Sequence, residues 1–197
     1  MDATRDRIPL WLASSITVVV SLPFGLWLGD YNLPLWVSFV VWAEYFQLGA
    51  RPAVLRTIVH AYLIGVGGAV AITTGNALLE RLIPDATIVS VGDGATFISF
   101  FVGFCILIYA MRWMTPVRSG VLPFFNGVSV TLGVLFTGAF ENAAGPGVDE
   151  LLLPVVAGVG AALAGLLGAA LGWFNVAIMF SRSVPAGTSA ERPAVSA

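Results

Sequence analysis

Basic charge recurs at every second gap between the apolar runs of this chain. It has no lysine, and its nine arginines are grouped. Arg5 and Arg7 precede the first apolar run, and Arg51 and Arg56 follow the second. Arg112 and Arg118 follow the fourth, and Arg182 and Arg192 follow the sixth. The alternate gaps carry acids: Asp30, then Glu80, Asp85 and Asp93, then Glu141, Asp149 and Glu150. Only Arg81 breaks the pattern. Membrane insertion retains arginine and lysine on the cytoplasmic side, so the alternation sets both span number and orientation. It predicts an all-α membrane protein of six transmembrane helices, in the cell membrane, with both termini cytoplasmic.

Composition agrees. Hydrophobic residues make up 58% and charged residues 10%, against about 25% charged in a soluble domain. Within 197 residues, six spans leave room for little else. The expectation is a single transmembrane domain over 1–182 and a disordered cytoplasmic tail, rich in Pro, Ser and Ala, over 183–197. The first run, Ile8–Gly29, exceeds the ~7–15 apolar residues of a signal peptide and reads as a retained helix. Without a basic patch, nucleic acid is not an expected partner. Cys105, mid-span, reads as a small buried hydrophobe rather than a redox group.

The spans expected are Ile8–Gly29, Pro34–Gly49, Ala53–Leu82, Gly94–Met114, Pro123–Phe140 and Leu151–Phe180. The second and fifth are short for a hydrocarbon core of ~30 Å. Both open on the same signal, Leu33-Pro34-Leu35-Trp36 and Leu122-Pro123-Phe124-Phe125. The next spans also share a pattern, Ile64-Gly65-Val66-Gly67-Gly68-Ala69 and Ala157-Gly158-Val159-Gly160-Ala161-Ala162. The halves 8–82 and 94–180 thus read as repeats. Three spans each is an odd number, so the second half enters the membrane inverted. Inverted repeats with short helices in matching places are a design of transport proteins, with the path at the repeat interface.

Small residues let helices approach in lipid, where no hydrophobic force drives them together. Gly65 and Gly68 in span three, and Gly158 and Gly165 in span six, are the expected packing positions.

Few polar groups enter the spans: Glu44 and Gln47 on the second, His60 on the third, Asn126 on the fifth and Asn175 on the sixth. An ionisable group in a span is a functional candidate. Glu44 lies about 7.5 Å, and His60 about 10 Å, from the inner ends of their helices. Glu44 can pair with His60, which suits proton transfer, or with Arg51 or Arg56 at the inner surface. Phe39, Trp42 and Phe46 form a candidate hydrophobic constriction. Phe125 and Asn126 add lining from the fifth span. Trp11, Trp27, Trp36, Trp113 and Trp173 fall near predicted interfaces, as an aromatic belt does. No metal-ligand spacing, nucleophile set or phosphate loop occurs, so neither an enzyme nor a cofactor is expected.

Trp36, Phe39, Tyr45 and Phe46, the Gly49 turn, and Gly65 with its small neighbours resemble the family called domain of unknown function 1097. The Leu-Pro start of span five and the Gly-rich span six fit it too. The resemblance implies a small bacterial inner-membrane protein of several spans, with no assigned activity. The reading is a homo-oligomeric channel or facilitator for a small uncharged or weakly polar solute. Its alternatives are proton-coupled transport through Glu44 and His60, or an accessory protein without a path.

Overall fold

The computed structural model describes residues 3–5, 7–83, 93–179 and 182–184. The gap from 84 to 92, with Asp85, and the tail from 185 on, with Arg192, lie outside the described residues. The strand-forming residues 182–184 include Ser183 and Val184, the first two of the expected tail.

Seven α-helices occur among the described residues: α1 (Leu10–Leu26), α2 (Leu35–Gln47), α3 (Pro52–Leu82), α4 (Asp93–Ala110), α5 (Thr115–Ser119), α6 (Val121–Thr137) and α7 (Leu153–Ile178). By length and composition α3, α7 and the stretch Gly94–Trp113 can cross a membrane, and α1 and α6 are shorter apolar helices. Helix α2 has 13 residues. The five-residue α5 was not foreseen; Pro116 at its first positions and Gly120 at its end set it apart from α6. Two short strands, β1 (Ala3–Arg5) and β2 (Arg182–Val184), pair antiparallel and join the two ends of the chain.

The two short helices end alike. Gly49 and Gly138 lie fifteen residues beyond Pro34 and Pro123, respectively, and both are left-handed, with φ of 95° and 64°. Glycine takes that conformation without the Cβ penalty, which is why it stops helices there. The closing hydrogen bonds also match. Ala50 N–H donates to the Tyr45 carbonyl at 2.8 Å, and Ala139 N–H to that of Val134 at 3.1 Å. The starts differ: α2 begins one residue after its proline, α6 two before.

Side-chain contacts give the helix directions. Leu107 packs at Gly68 and Ile72 at Gly103, so α4 runs against α3. Asn175 donates to the Ser14 and Thr17 hydroxyls, and Arg7 N–H to the Met179 carbonyl, so α7 runs against α1. Ser38 abuts Gly168 and Tyr45 abuts Gly172, so α2 and α7 are parallel. Gly65 meets Phe124 and Gly120 meets Thr57 and Ala61, so α3 and α6 are parallel. Tyr62 packs on Gly165 and Val70 on Gly158, so α3 and α7 are antiparallel. Hence α1, α2, α3, α4, α6 and α7 alternate in direction. One end of the bundle, called proximal here, carries β1, β2, the α2–α3 turn and α5. The distal end carries one-turn 3-10 helices at Gly29–Tyr31 and Glu141–Ala144.

Helices α2, α3, α6 and α7 form the core, with α1 against α7 and α4 against α3. The closest approach is α3 on α6. A methyl group at Gly65 would overlap the Phe124 carbonyl oxygen, and one at Gly127 that of Tyr62. The two glycines face each other's helix and bring backbone onto backbone. Around them Val37, Val41, Ile58, Val134, Ala161 and Ala164 are wholly buried or nearly so. Tyr62 and Ser38 cross-brace this core, donating to the Ala161 and Ala164 carbonyls at 2.8 and 2.7 Å. Helix α4 differs. Phe97, Phe101, Ile106 and Ile108 are exposed, and so is Cys105, which is therefore not the buried hydrophobe its apolar neighbours suggested.

The arginine that broke the charge pattern has a local explanation. Arg81 ends α3 at the distal end and pairs there with Asp149, which precedes α7. Arg7, Arg51, Arg56, Arg112 and Arg118 all fall at the proximal end.

Candidate functional site

Glu44 projects from the last turns of α2 toward the first turns of α6. It is 3% exposed, and the Asn126 side-chain amide donates to its Oε1. Its Oε2 is buried and has no hydrogen-bond partner among the described residues. Burying an acid with one neutral partner is costly, because a lost or missing hydrogen bond exposes the desolvation penalty of about 1–3 kcal/mol, more for a charge. Within a core whose other buried side chains are uncharged, that makes the Glu44–Asn126 contact the leading candidate site.

The contact exists because α2 and α6 are antiparallel neighbours. At the proximal end Glu44 reaches Asn126; at the distal end the Trp36 ring lies against Gly133. The two ends of this α2–α6 seam differ in chemistry, one polar and one aromatic on glycine. Gln47 and Ser129, each three residues along its helix from Glu44 or Asn126 and so on the same face, are exposed. Phe125, 37% exposed, borders the seam on α6 and packs edge-on against Phe124.

Other expected members of the site lie elsewhere. His60 is exposed and turns back on its own helix, its Nδ1 donating to the Arg56 carbonyl 2.7 Å away. It does not meet Glu44, and neither do Arg51 or Arg56, so both pairings read from depth are corrected to Asn126. The reason is angular. Ile58, Ala61, Tyr62 and Gly65 define the inward face of α3, whereas Arg56, His60, Leu63 and Gly67 run along its outward one. Phe39, Trp42 and Phe46 stack in sequence, with ring centroids 6.0 and 6.4 Å apart. Trp42 and Glu44 are two residues apart, about 200° around the helix. The aromatic ladder therefore sits on the other flank of α2 and does not constrict a passage that Glu44 lines.

Of the packing glycines, Gly65 faces the α6 backbone, Gly68 faces Leu107, Gly158 faces Val70 and Gly165 faces the Tyr62 ring. Asn175 is buried and donates to α1.

A second polar cluster escaped the sequence reading. Between α3 and α4, toward the distal end, the Ser99 hydroxyl donates to the side-chain Oδ1 of Asn76 at 2.7 Å. The Asn76 amide donates to Glu80 at 2.9 Å, and Thr96 donates to the same carboxylate oxygen at 3.4 Å. In the sequence Glu80 reads only as a loop charge. The available signal was Asn76 and Glu80 at i and i+4 on one helix face. Among the described residues no group of three or more His, Cys, Asp or Glu could hold a metal ion.

No curated protein and no solved structure matches the chain. Residues 10–179, which take in every helix from α1 to α7, match one family throughout. With nearly its whole length covered and its apolar helices compatible with a membrane protein, the chain belongs to the family described as Protein of unknown function (DUF1097).

Proposed function

We propose that the chain is a six-span inner-membrane protein with both termini in the cytoplasm. Its construction is an inverted three-plus-three repeat, and it passes a small uncharged or weakly polar solute along the α2–α6 seam. Alternating helix directions and the gathering of arginines at the proximal end support the topology. The repeat is supported by the matching Pro-to-Gly lengths and closing hydrogen bonds of α2 and α6, and by the parallel pairs α3–α6 and α2–α7, which exchange under inversion.

The observation that carries the passage is the buried Glu44, its Oε2 unpartnered among the described residues, beside exposed Gln47 and Ser129. Polar groups at the surface of a lipid-embedded helix call for a polar neighbour. A second copy of the chain across the seam supplies one and encloses the path, which makes the functional unit a homo-oligomer. The solute is uncharged because the seam offers one acid, the amides of Asn126 and Gln47 and the Ser129 hydroxyl, with no basic cluster and no acidic ring. No enzyme chemistry is assigned to these groups.

The test is solute entry into liposomes. Protein-bearing vesicles should swell severalfold faster than empty ones in glycerol, urea or formamide. Glu44→Gln, which keeps the shape, and Ser129→Leu should change that rate while helix content stays constant. Rates equal to those of empty vesicles for all three solutes would falsify the passage. The dense packing around Gly65 and Gly127 favours a second reading, an accessory protein without a path, and that same null result would support it.

A further inference from the structure

We propose that the groove between α3 and α4 binds a membrane phospholipid with a primary ammonium head. The acyl chain lies in the groove and the ammonium sits on Glu80. This rests on the chain being embedded in a membrane and is independent of any passage along the α2–α6 seam.

The groove has a volume of about 660 Å³, within the ~300–1,000 Å³ range of small-ligand sites. Its lining is apolar apart from the Ser99 hydroxyl. Along α3 it runs from Gly68 to Leu82, about 21 Å at 1.5 Å per residue. Half of a ~30 Å hydrocarbon core is shorter than that, so a lipid tail from one leaflet fits lengthwise. The space exists because of one residue in particular. Where a side chain at Gly75 would begin, nothing among the described residues lies within 4 Å. Gly68 and Gly103, by contrast, are filled by Leu107 and Ile72. Glycine is the least favourable residue but proline in a helix interior, and among the described residues Gly75 has no close neighbour to require it. An occupant of the groove would require it.

The head of the groove selects the occupant. Ser99, in the groove wall, starts the chain of hydrogen bonds that runs through Asn76 to the Glu80 carboxylate, with Thr96 joining at the same oxygen. These partners are all neutral. The neighbouring cation, Arg81, is engaged by Asp149. Glu80 is not itself in the lining: it falls between the lining residues Leu79 and Leu82 in sequence and is joined to the groove wall through Asn76 and Ser99. A half-buried carboxylate with neutral partners, beside the distal end of an apolar groove, complements a compact ammonium with several N–H donors. An anionic head would be repelled there.

Native mass spectrometry of the protein released from nanodiscs with equal phosphatidylethanolamine and phosphatidylglycerol tests this directly. The wild type should retain the ethanolamine lipid about fivefold over the glycerol lipid, the scale of one partly exposed charge pair. Glu80→Gln should abolish the preference while lipid remains bound. Gly75→Leu should fill the groove and remove both lipids, and Ala71→Leu, at another exposed position of the groove, should do the same if the first variant folds poorly. Equal retention of the two lipids by the wild type overturns the proposal, as does undiminished retention in the filled variants. A lipid-free dimer whose contact is lost on Gly75→Leu would assign the groove to a second copy instead. Failure of solute entry would leave these results unaffected.

Discussion

Gly65 and Gly67 stand two residues apart on α3 under opposite constraints. Any side chain at Gly65 meets the α6 backbone, which cannot yield as a flexible side chain would. Beside Gly67 nothing among the described residues lies within 4 Å. Gly65→Ala should therefore destabilise by at least the ~1–3 kcal/mol typical of overpacking. Gly67→Ala should be neutral or stabilise by up to ~1 kcal/mol through helix propensity. Thermal unfolding of both in one detergent measures the contrast. A clear loss at Gly67→Ala would put another copy of the chain against that face. Residue type made Glu44, Asn126 and the small residues visible in the sequence, since acids, amides and glycines are rare or patterned in apolar spans. Their partners were not visible. Depth along a helix follows from counting, but which way a residue faces depends on the neighbouring helix, and this is why His60 was drawn to Glu44 when Asn126 holds it.

At the scale of elements, the short helices were legible because proline and glycine act locally: one starts a helix, the other ends it. Inversion would also have placed the proximal end of α2 beside the start of α6, and hence Glu44 beside Asn126. The α3–α4 cluster was hidden because Glu80 lies at a helix end, where a charge is usually solvated. Helix α5 was hidden because five residues carry no period. The tie between the end of α3 and the chain before α7 depends on one acid. The Leu151 backbone amide and then Arg81 hold the Asp149 carboxyl below its ordinary value. A carboxyl depressed in the folded state binds protons less readily than in the unfolded state. Its contribution is therefore complete above the unfolded value of about 3.9 and fades as pH falls through the folded one. Asp149→Asn should lower the melting temperature at neutral pH, and the difference from wild type should shrink as pH falls below about 4. A difference that is constant with pH would mean the asparagine acts through something other than lost charge.

For the molecule as a whole, the gaps between apolar runs outweighed the runs themselves. Charge on alternate gaps implied the alternation of helix directions that the side-chain contacts display, although α2 is too short to be recognised as a span by length. The alternation makes a prediction about sidedness. In a Cys105→Ser background, a cysteine at Asn142 should react with a membrane-impermeant maleimide in intact cells, and one at Ser119 only after permeabilisation. Reaction of both from the same side would refute the orientation and with it the inverted second half.

The pairing of β1 with β2 bears on how the protein is made. Residues 3–5 leave the ribosome about 180 positions ahead of their hydrogen-bonding partners. At roughly 5–20 residues per second, the leading strand waits on the order of 10–40 s for its mate. Throughout that interval its backbone donors are satisfied by water or by a chaperone, and this seam can close only after α7 has been synthesised.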